Sequence, residues 1–172
     1  FALTNTAGPA TQVTTTGGTP QSTPINTPFT TALQVTVRDV GNNPVSGATV
    51  TFATPATSAR ATLSSTTATT DAAGVASINA TAGATAGTYN VTASLGAASA
   101  TFALTNTAGP ASQIAATGGT PQSAAINTAF ATALQVTVRD AGNNPVNGAS
   151  VTFAAPATGA RATLSSTTAT TD

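Results

Sequence analysis

The sequence predicts an all-β protein made of tandem two-sheet antiparallel sandwiches, each with about seven strands and no helices. Three observations support this prediction. A stretch of 71 residues recurs 101 positions further along the chain, apolar and polar residues alternate in short runs, and turns rich in Gly, Asn and Pro separate the runs. Alternation with a period of two is typical of a half-buried strand. Short strands between regularly spaced turns are typical of a β-sandwich.

The repeat predicts the domain organisation. Residues 1–71 align with residues 102–172, and only 13 of the 71 positions differ. This period is longer than the roughly 20–50 residues of a solenoid coil, and it matches one sandwich domain. We therefore predict that residues 1–7 are the last strand of a preceding repeat, that residues 8–108 are a complete domain, and that residues 109–172 begin a second, incomplete one. The chain is expected to be a window of a longer protein.

Gly-Pro dipeptides mark the predicted boundaries. Pro9 follows Gly8 at the start of the first domain, and Pro110 follows Gly109 at the start of the second. Gly-Pro breaks regular structure, and the proline ring fixes its own φ angle. We therefore expect Pro9 and Pro110 to limit the freedom of the backbone where one domain meets the next.

Alternating apolar residues predict the strands and the core of the first domain. Leu33 and Val35 point to one side of their run, Phe52 closes a second run, and Phe102 lies in the last. Thr occupies many of the opposite positions, where its branched carbon suits a pleated sheet and its hydroxyl remains hydrated. No segment shows a convincing helical period. The predicted strands cover residues 32–38, 48–52, 60–63, 74–80, 88–95 and 99–104.

The charge and cysteine content exclude several classes of function. Four Arg and four Asp are the only charged side chains, and they cancel to a net charge of zero. A nucleic-acid-binding surface or an anionic-membrane surface needs a cluster of basic residues, which this chain lacks. The chain contains no run of eighteen apolar residues, so its sequence predicts no membrane-spanning helix. The absence of Cys excludes a disulfide framework and a thiolate zinc site, and the composition favours a large secreted chain.

Two acidic residues per complete repeat leave little scope for catalysis or metal binding. Without His, Cys, Lys or Glu, acid–base chemistry would depend on Asp39 and Asp71, and neither has a nucleophile beside it. We predict that the chain is not an enzyme and that it binds no cofactor. Calcium is the alternative, because Asp39 and Asp71 are candidate ligands, but calcium takes six to eight oxygens. We expect Asp39 to form the turn that it begins, through bonds to its own backbone.

Two long motifs resemble a known domain family. VTVRDVGNNPVSGATVTF (Val35–Phe52) and TTDAAGVASINATAGATAGTYNVTAS (Thr69–Ser94) are similar to the bacterial Ig-like domains of the Big_1, invasin- and intimin-type group. These domains occur in tandem in large surface adhesins. The resemblance implies an Ig-like fold for each repeat and a place outside the bacterial cell, at its surface.

Tyr89 and Val91 are the residues to which the Ig-type pattern assigns a structural role. In such sandwiches a Tyr near the start of one strand stands two residues before a Cys, and its hydroxyl bonds to nearby backbone. Here Tyr89 occupies the first position and Val91 the second. The resemblance therefore implies a structural Tyr89 and an apolar contact at Val91 in place of a disulfide.

Three functions remain open from the sequence. The leading hypothesis is a structural spacer, a stalk or extracellular filament in which rigid repeats stack end to end with neighbouring copies. The first alternative is an adhesive module that binds a carbohydrate or protein receptor through loops at one end of the sandwich. For such a site, only Phe29 and its counterpart Phe130 are expected outside the strand core. The second alternative is a subunit that polymerises head to tail by strand donation.

Overall fold

The computed structural model describes all 172 residues and divides them into two compact units. Unit 1 is Phe1–Thr107, and unit 2 is Ala108–Asp172. All regular elements are β-strands, so the prediction of an all-β chain is confirmed. No helix is present that could cross a membrane.

Unit 1 contains more and shorter strands than the roughly seven that were predicted. One reason is that the run predicted at residues 74–80 changes sheet at Asn79, so that it forms two strands. The strands are β1 (Ala10–Gly17), β2 (Gln21–Pro24), β3 (Leu33–Asp39), β4 (Thr49–Ala53), β5 (Ala61–Leu63), β6 (Thr67–Thr69), β7 (Val75–Ile78), β8 (Ala80–Ala82), β9 (Gly87–Leu95) and β10 (Ala98–Thr107).

The ten strands form three sheets. One sheet has the order β1-β3-β7, a second has the order β2-β10-β9-β4-β6, and β5 pairs with β8. All pairs are antiparallel except the pair of β2 with β10, which is parallel. Because β10 lies between β2 and β9, the last strand of unit 1 is an inner strand of its sheet.

Alternate residues of the strands form the core of unit 1. Leu33 and Val35 of β3, Val91 of β9 and Phe102 of β10 have no exposed surface, and Phe52 of β4 is 1% exposed. The rings of Phe52 and Phe102 are 6.3 Å apart between centroids and tilted by 34°, a favourable aromatic arrangement. The remaining alternate positions of these strands carry mostly Thr, Ser and Asn, so one side of each strand faces the core.

Three strands of unit 1 lie in segments for which no strand was predicted. β1 has a single buried apolar residue, Val13, among Thr and Gln residues, so its sequence shows no alternation. β2 is four residues long and ends in Pro24, and β6 is an edge strand of three residues. Their pairing partners are distant in sequence, and a pattern along one strand does not report such pairing.

Unit 2 repeats part of this arrangement. Its strands are β11 (Ala111–Gly118), β12 (Gln135–Asp140), β13 (Ser150–Thr152) and β14 (Thr168–Thr170), and they form the pairs β11-β12 and β13-β14. The register of β11 on β12 is that of β1 on β3, since Ala111 faces Asp140 as Ala10 faces Asp39. Residues 122–125, which correspond to β2, form no strand.

Residues 1–7 form no strand within this chain, and their side chains are exposed. The counterparts of residues 1–6, residues 102–107, are the last six residues of β10. That residues 1–7 belong to a preceding repeat stays a prediction.

Candidate functional site at the boundary between repeats

A buried polar cluster holds the end of β10 in unit 1. The side chain of Asn106 is 1% exposed, and its Oδ1 accepts a hydrogen bond from the Tyr89 hydroxyl at 2.9 Å. Its Nδ2 donates to the carbonyl oxygens of Arg60 at 3.0 Å and Thr85 at 3.1 Å. Because a buried amide without partners is costly, these bonds strongly favour one position for the end of β10.

The family resemblance implied a hydrogen bond from the Tyr89 hydroxyl to nearby backbone. In the structure this hydroxyl donates to the side chain of Asn106 instead. Burial raises the pKa of Tyr89 to about 12, and the hydrogen bond to Asn106 acts in the opposite direction. Val91, at the position of the Ig-type Cys, pairs in register with Phe102, and both are fully buried. The sequence did not single out Asn106, because a polar residue near the end of a strand reads as exposed.

Hydrogen bonds within each unit hold the two ends of the linker between them. The carbonyl oxygen of Thr107, the last residue of β10, accepts from the backbone N–H of Ile25 at 2.9 Å in unit 1. The N–H of Gly109 donates to Oδ2 of Asp140 at 2.8 Å in unit 2. Ala108 is therefore the one residue between two anchored residues.

The carboxylate of Asp140 is the anchor on the side of unit 2. Asp140 is fully buried, and Oδ1 accepts from the N–H groups of Gly142 and Asn144, each at 2.8 Å. The side-chain amide of Asn144 donates to both carboxylate oxygens at 3.0 Å. With the bond from Gly109, the carboxylate is fully satisfied by groups of its own unit. We call this arrangement of Asp, Asn and the preceding Gly the boundary clasp.

Unit 1 contains the same boundary clasp at its own start. Oδ2 of Asp39 accepts from the N–H of Gly8 at 2.8 Å, and Oδ1 accepts from the N–H of Asn43 at 2.8 Å. The Asn43 amide lies within 3.1 Å of both oxygens. Pro9 and Pro110, which the sequence analysis singled out, each follow the clasped glycine directly.

Hydrogen bonding lowers the pKa of both carboxyl groups below the ordinary value of 3.8. For Asp39 the largest cause is the side-chain bond from Asn43, followed by the N–H of Gly8. For Asp140 burial is the largest single influence and raises the pKa, but the bonds from Asn144, Gly109 and Gly142 together outweigh it. Both groups are therefore carboxylates at neutral pH, the form that these donors stabilise.

Local sequence explains why the clasp forms. The carboxylate begins a turn in which Asn143 has a φ of 64°, a left-handed conformation that Asn tolerates better than most residues. The N–H of Asn143 donates to the carbonyl of Asp140 at 3.0 Å and closes the turn. The same turn recurs at Asn42 with a φ of 65°. One sequence signal could have revealed the boundary clasp: the glycine and the Asp are separated by 31 residues in both copies.

The two candidate calcium ligands lie in separate turns. Asp39 belongs to the boundary clasp, and Oδ1 of Asp71 accepts from the N–H groups of Ala73 at 2.8 Å and Val75 at 2.9 Å. The structure brings together no group of three or more His, Cys, Asp or Glu side chains. Both carboxylates thus make turn-forming bonds within their own unit.

Phe29 is the one residue whose predicted place is wrong. It was expected outside the strand core, but it is 7% exposed and belongs to the core cluster. The loop that carries it folds onto β8, where the N–H of Phe29 donates to the carbonyl of Ala80 at 3.0 Å. Phe130, its counterpart in unit 2, is 49% exposed.

A polar cleft in unit 1 is a candidate ligand pocket. Its volume is about 680 Å³, and its lining includes Asn26, Arg60, Thr62, Thr81 and Thr85. No aromatic side chain lines it. Sugar-binding sites commonly stack a ring on an aromatic face, so this cleft lacks the feature that the adhesive-module hypothesis needs most.

Comparison with solved structures finds similarity to an adhesin, to an integrin-binding protein and to a domain pair of intimin. The Escherichia coli adhesin FdeC is 24% identical, with a TM-score of 0.49 over 86% of this chain and 47% of that chain. Invasin, a bacterial integrin-binding protein, is 22% identical, with a TM-score of 0.47 over 83% of this chain and 30% of that one. The D0–D1 domain of intimin is 23% identical, with a TM-score of 0.43 over 95% and 79%. The chain spans less than half of the FdeC and invasin chains.

A search of curated proteins finds no match. Residues 19–108, more than half of the chain, match the family described as bacterial Ig-like domain, group 1 (Big_1). The matched segment runs from just before β2 to one residue past β10, so it contains nearly all of the sandwich of unit 1. The chain therefore belongs to the group 1 bacterial Ig-like domains.

Proposed function

We propose that the chain is a structural spacer, a stalk segment of a bacterial cell-surface adhesin or extracellular filament that acts by stacking rigid Ig-like domains end to end. The observation that carries this proposal is the linker in which Ala108 alone separates two anchored residues. Neighbouring copies of the same repeat are the partners, within one chain. Such a role needs no catalytic residue and no cofactor.

The linker supports a stiff connection because little of its backbone is free. The Thr107 carbonyl is anchored by the backbone N–H of Ile25, and the Gly109 N–H is anchored by the side-chain carboxylate of Asp140, each within its own unit. Pro110 follows with a fixed φ angle. Flexible linkers are longer and rich in Gly and Ser. Each residue held in one conformation has already lost about 1–2 kcal/mol of backbone entropy on folding, so we expect bending at this boundary to be confined to the torsion angles around Ala108.

Distance measurement between spin labels tests the proposal. The chain has no Cys, so labels can be attached at Ser77→Cys in unit 1 and Thr152→Cys in unit 2, both exposed strand positions. Pulsed electron resonance should give one narrow distance distribution. Insertion of Gly-Gly-Ser after Ala108 should broaden it without touching either anchor. A broad distribution in the unaltered linker would contradict a rigid spacer.

The two boundary clasps provide a matched pair of variants. Asp140→Ala frees Gly109 and should broaden the distribution. Asp39→Ala removes the same bonds in unit 1 but frees Gly8, which lies outside the linker, so the distribution should remain narrow. Equal broadening in both variants would mean that loss of turn structure, rather than release of the linker, is responsible.

The adhesive-module alternative is tested separately with a glycan array. A spacer should give no saturable binding to any immobilised carbohydrate. Saturable binding that Arg60→Ala abolishes would place a receptor site at the polar cleft and would replace the spacer proposal.

A further inference from the structure

The chain enters unit 1 at one end of the sandwich and leaves it at the other. Gly8 lies before β1, and its N–H donates to Asp39, the last residue of β3. β4 follows β3 through the turn at this end, β9 is antiparallel to β4, and β10 is antiparallel to β9. β10 therefore begins at the end where Gly8 lies, and its last residue, Thr107, lies at the opposite end.

The segment that enters unit 1 runs in the same direction as the strand that leaves it. β1 is antiparallel to β3, so it runs away from the end where Gly8 lies. β2 comes next in the chain and is parallel to β10, with Gln21 opposite Leu104 and Pro24 opposite Thr107. The pair of β2 with β10 therefore joins the first part of unit 1 directly to its last strand.

Two hydrogen bonds extend this parallel pair beyond the ends of β2. Just before β2, Oγ1 of Thr19 accepts from the N–H of Ala103 at 2.9 Å. Just after β2, the N–H of Ile25 donates to the carbonyl of Thr107 at 2.9 Å. We call residues 19–25 together with residues 103–107 the parallel lock.

Tension between the two ends of unit 1 acts along the strands of the parallel lock. A pull at Gly8 draws β2 toward one end of the sandwich, and a pull at Thr107 draws β10 toward the other. Hydrogen bonds between strands run across the strand direction, so the bonds of the lock carry this load together. A pull that peels one strand from another loads the bonds one at a time. The lock is therefore placed in the geometry that resists tension better.

β2 is held less firmly than β10. It is an edge strand that pairs only with β10, over four residues. β10 also pairs with β9 over nine residues, from Ala98 to Asn106, and the Asn106 amide donates to the carbonyls of Arg60 and Thr85. Tension is therefore expected to draw β2 off β10 before it draws β10 off β9. Loss of the β1–β3 pair alone does not separate the two ends, because β2 still holds β10.

We propose that unit 1 bears tension and that the parallel lock is the part that resists it. The use of this resistance rests on the proposed stalk, since a domain in line between two attachment points carries any pull between them. The resistance itself belongs to unit 1 alone. A flexible linker would therefore refute the spacer proposal and leave the rupture force of unit 1 unchanged, whereas a weak lock would leave the stiffness of the linker unchanged.

Single-molecule pulling in optical tweezers tests the lock. The chain has no Cys, so Ala7→Cys with Ala108→Cys attaches handles on either side of unit 1 and leaves unit 2 outside the path of the load. Thr30→Cys with Ala108→Cys pulls instead on the loop after β2 and on the end of β10, which lie at the same end of the sandwich. The lock then peels. The first pair of handles should give the higher rupture force at the same pulling rate, and equal forces would overturn the proposal.

Two variants that each delete one hydroxyl acceptor separate the lock from general stability. Thr19→Val removes the acceptor of the Ala103 N–H within the lock, and Ser64→Ala removes the acceptor of the Asn79 N–H outside it. With handles at residues 7 and 108, Thr19→Val should shorten the lifetime of unit 1 at constant force about fivefold, the effect of one lost hydrogen bond. Ser64→Ala should leave this lifetime nearly unchanged. Equal shortening by the two variants would mean that lost stability, and not the lock, sets the resistance, and would overturn the proposal.

Discussion

Residues 7–71 of unit 1 and residues 108–172 of unit 2 are nearly identical in sequence, yet their side chains meet different environments. Leu33 has no exposed surface, whereas Leu134 is 52% exposed. The turn that follows is unaffected, since Asp39 and Asp140 are 4% and 0% exposed and accept the same hydrogen bonds. Turn chemistry is therefore autonomous, while core burial depends on strands supplied from far along the chain.

The physical reason lies in the range of the interactions. All donors to the carboxylate except the clasped glycine lie within four residues of it. The core cluster that contains Leu33 includes residues of β7 to β10, and these strands begin more than forty residues later. Residues 108–172 align with residues 7–71, so the comparison covers no counterparts of β7 to β10.

The largest expected effect distinguishes the two leucines. Leu33→Ala should lower the free energy of unfolding of unit 1 by about 2–5 kcal/mol, because it leaves a cavity in a closed core. Leu134→Ala should lower that of unit 2 by about 1 kcal/mol or less, since half of the side chain already contacts water. Hydrogen exchange of the backbone amides of β3 and β12 measures the free energies of unfolding of unit 1 and unit 2. Equal costs would contradict the comparison.

The next effect concerns the cluster that holds the end of β10. Asn106→Ala should destabilise unit 1 by about 2 kcal/mol, because it leaves the buried Tyr89 hydroxyl without its acceptor and removes the bonds to the carbonyls of Arg60 and Thr85, and Tyr89→Phe should cost about 1 kcal/mol. Asn5→Ala changes the counterpart of Asn106 in an exposed segment and should cost nothing measurable. Urea denaturation followed by circular dichroism gives all three values. A measurable cost at Asn5 would show that residues 1–7 are structured in solution.

Acid should destabilise both units through the boundary clasps. The folded-state pKa of Asp39 and Asp140 lies below 3.8, so the folded protein takes up these protons less readily than the unfolded chain does. The stabilisation is complete above that value and is lost as the pH falls through the folded-state pKa. Melting temperatures should therefore fall below about pH 4, and less steeply in Asp39→Asn combined with Asp140→Asn. An unchanged slope in the double variant would assign acid sensitivity to other groups.

The smallest expected effect on stability is at residue 40, one of the positions where the two copies differ. Val40 is 87% exposed and corresponds to Ala141. Val40→Ala should change the stability of unit 1 by less than about 0.5 kcal/mol, because the side chain packs against nothing. A thermal melt of the variant beside the original chain measures it. A larger change would mean that this exposed turn residue contacts something in solution.

Sequence patterns predicted most of the strands but fewer of the residues at the boundary. Strands β3, β4 and β9 alternate clearly, so their inward residues could be read directly. Asn106 could not be recognised, because its amide is buried only when β10 brings it beside the carbonyls of Arg60 and Thr85. Phe29 was misplaced for a related reason, since its loop is covered only after it folds onto β8.

By itself, the sequence determined the β class, the repeat length, the family resemblance and the turns at GNNP. These properties follow from a period of two along the strand and from hydrogen bonds between close neighbours in the chain. Only the tertiary structure decided which Leu is buried, which amide holds the last strand and how few linker residues remain unanchored. Those outcomes depend on strand pairing between segments tens of residues apart, and the local sequence of either partner does not encode it.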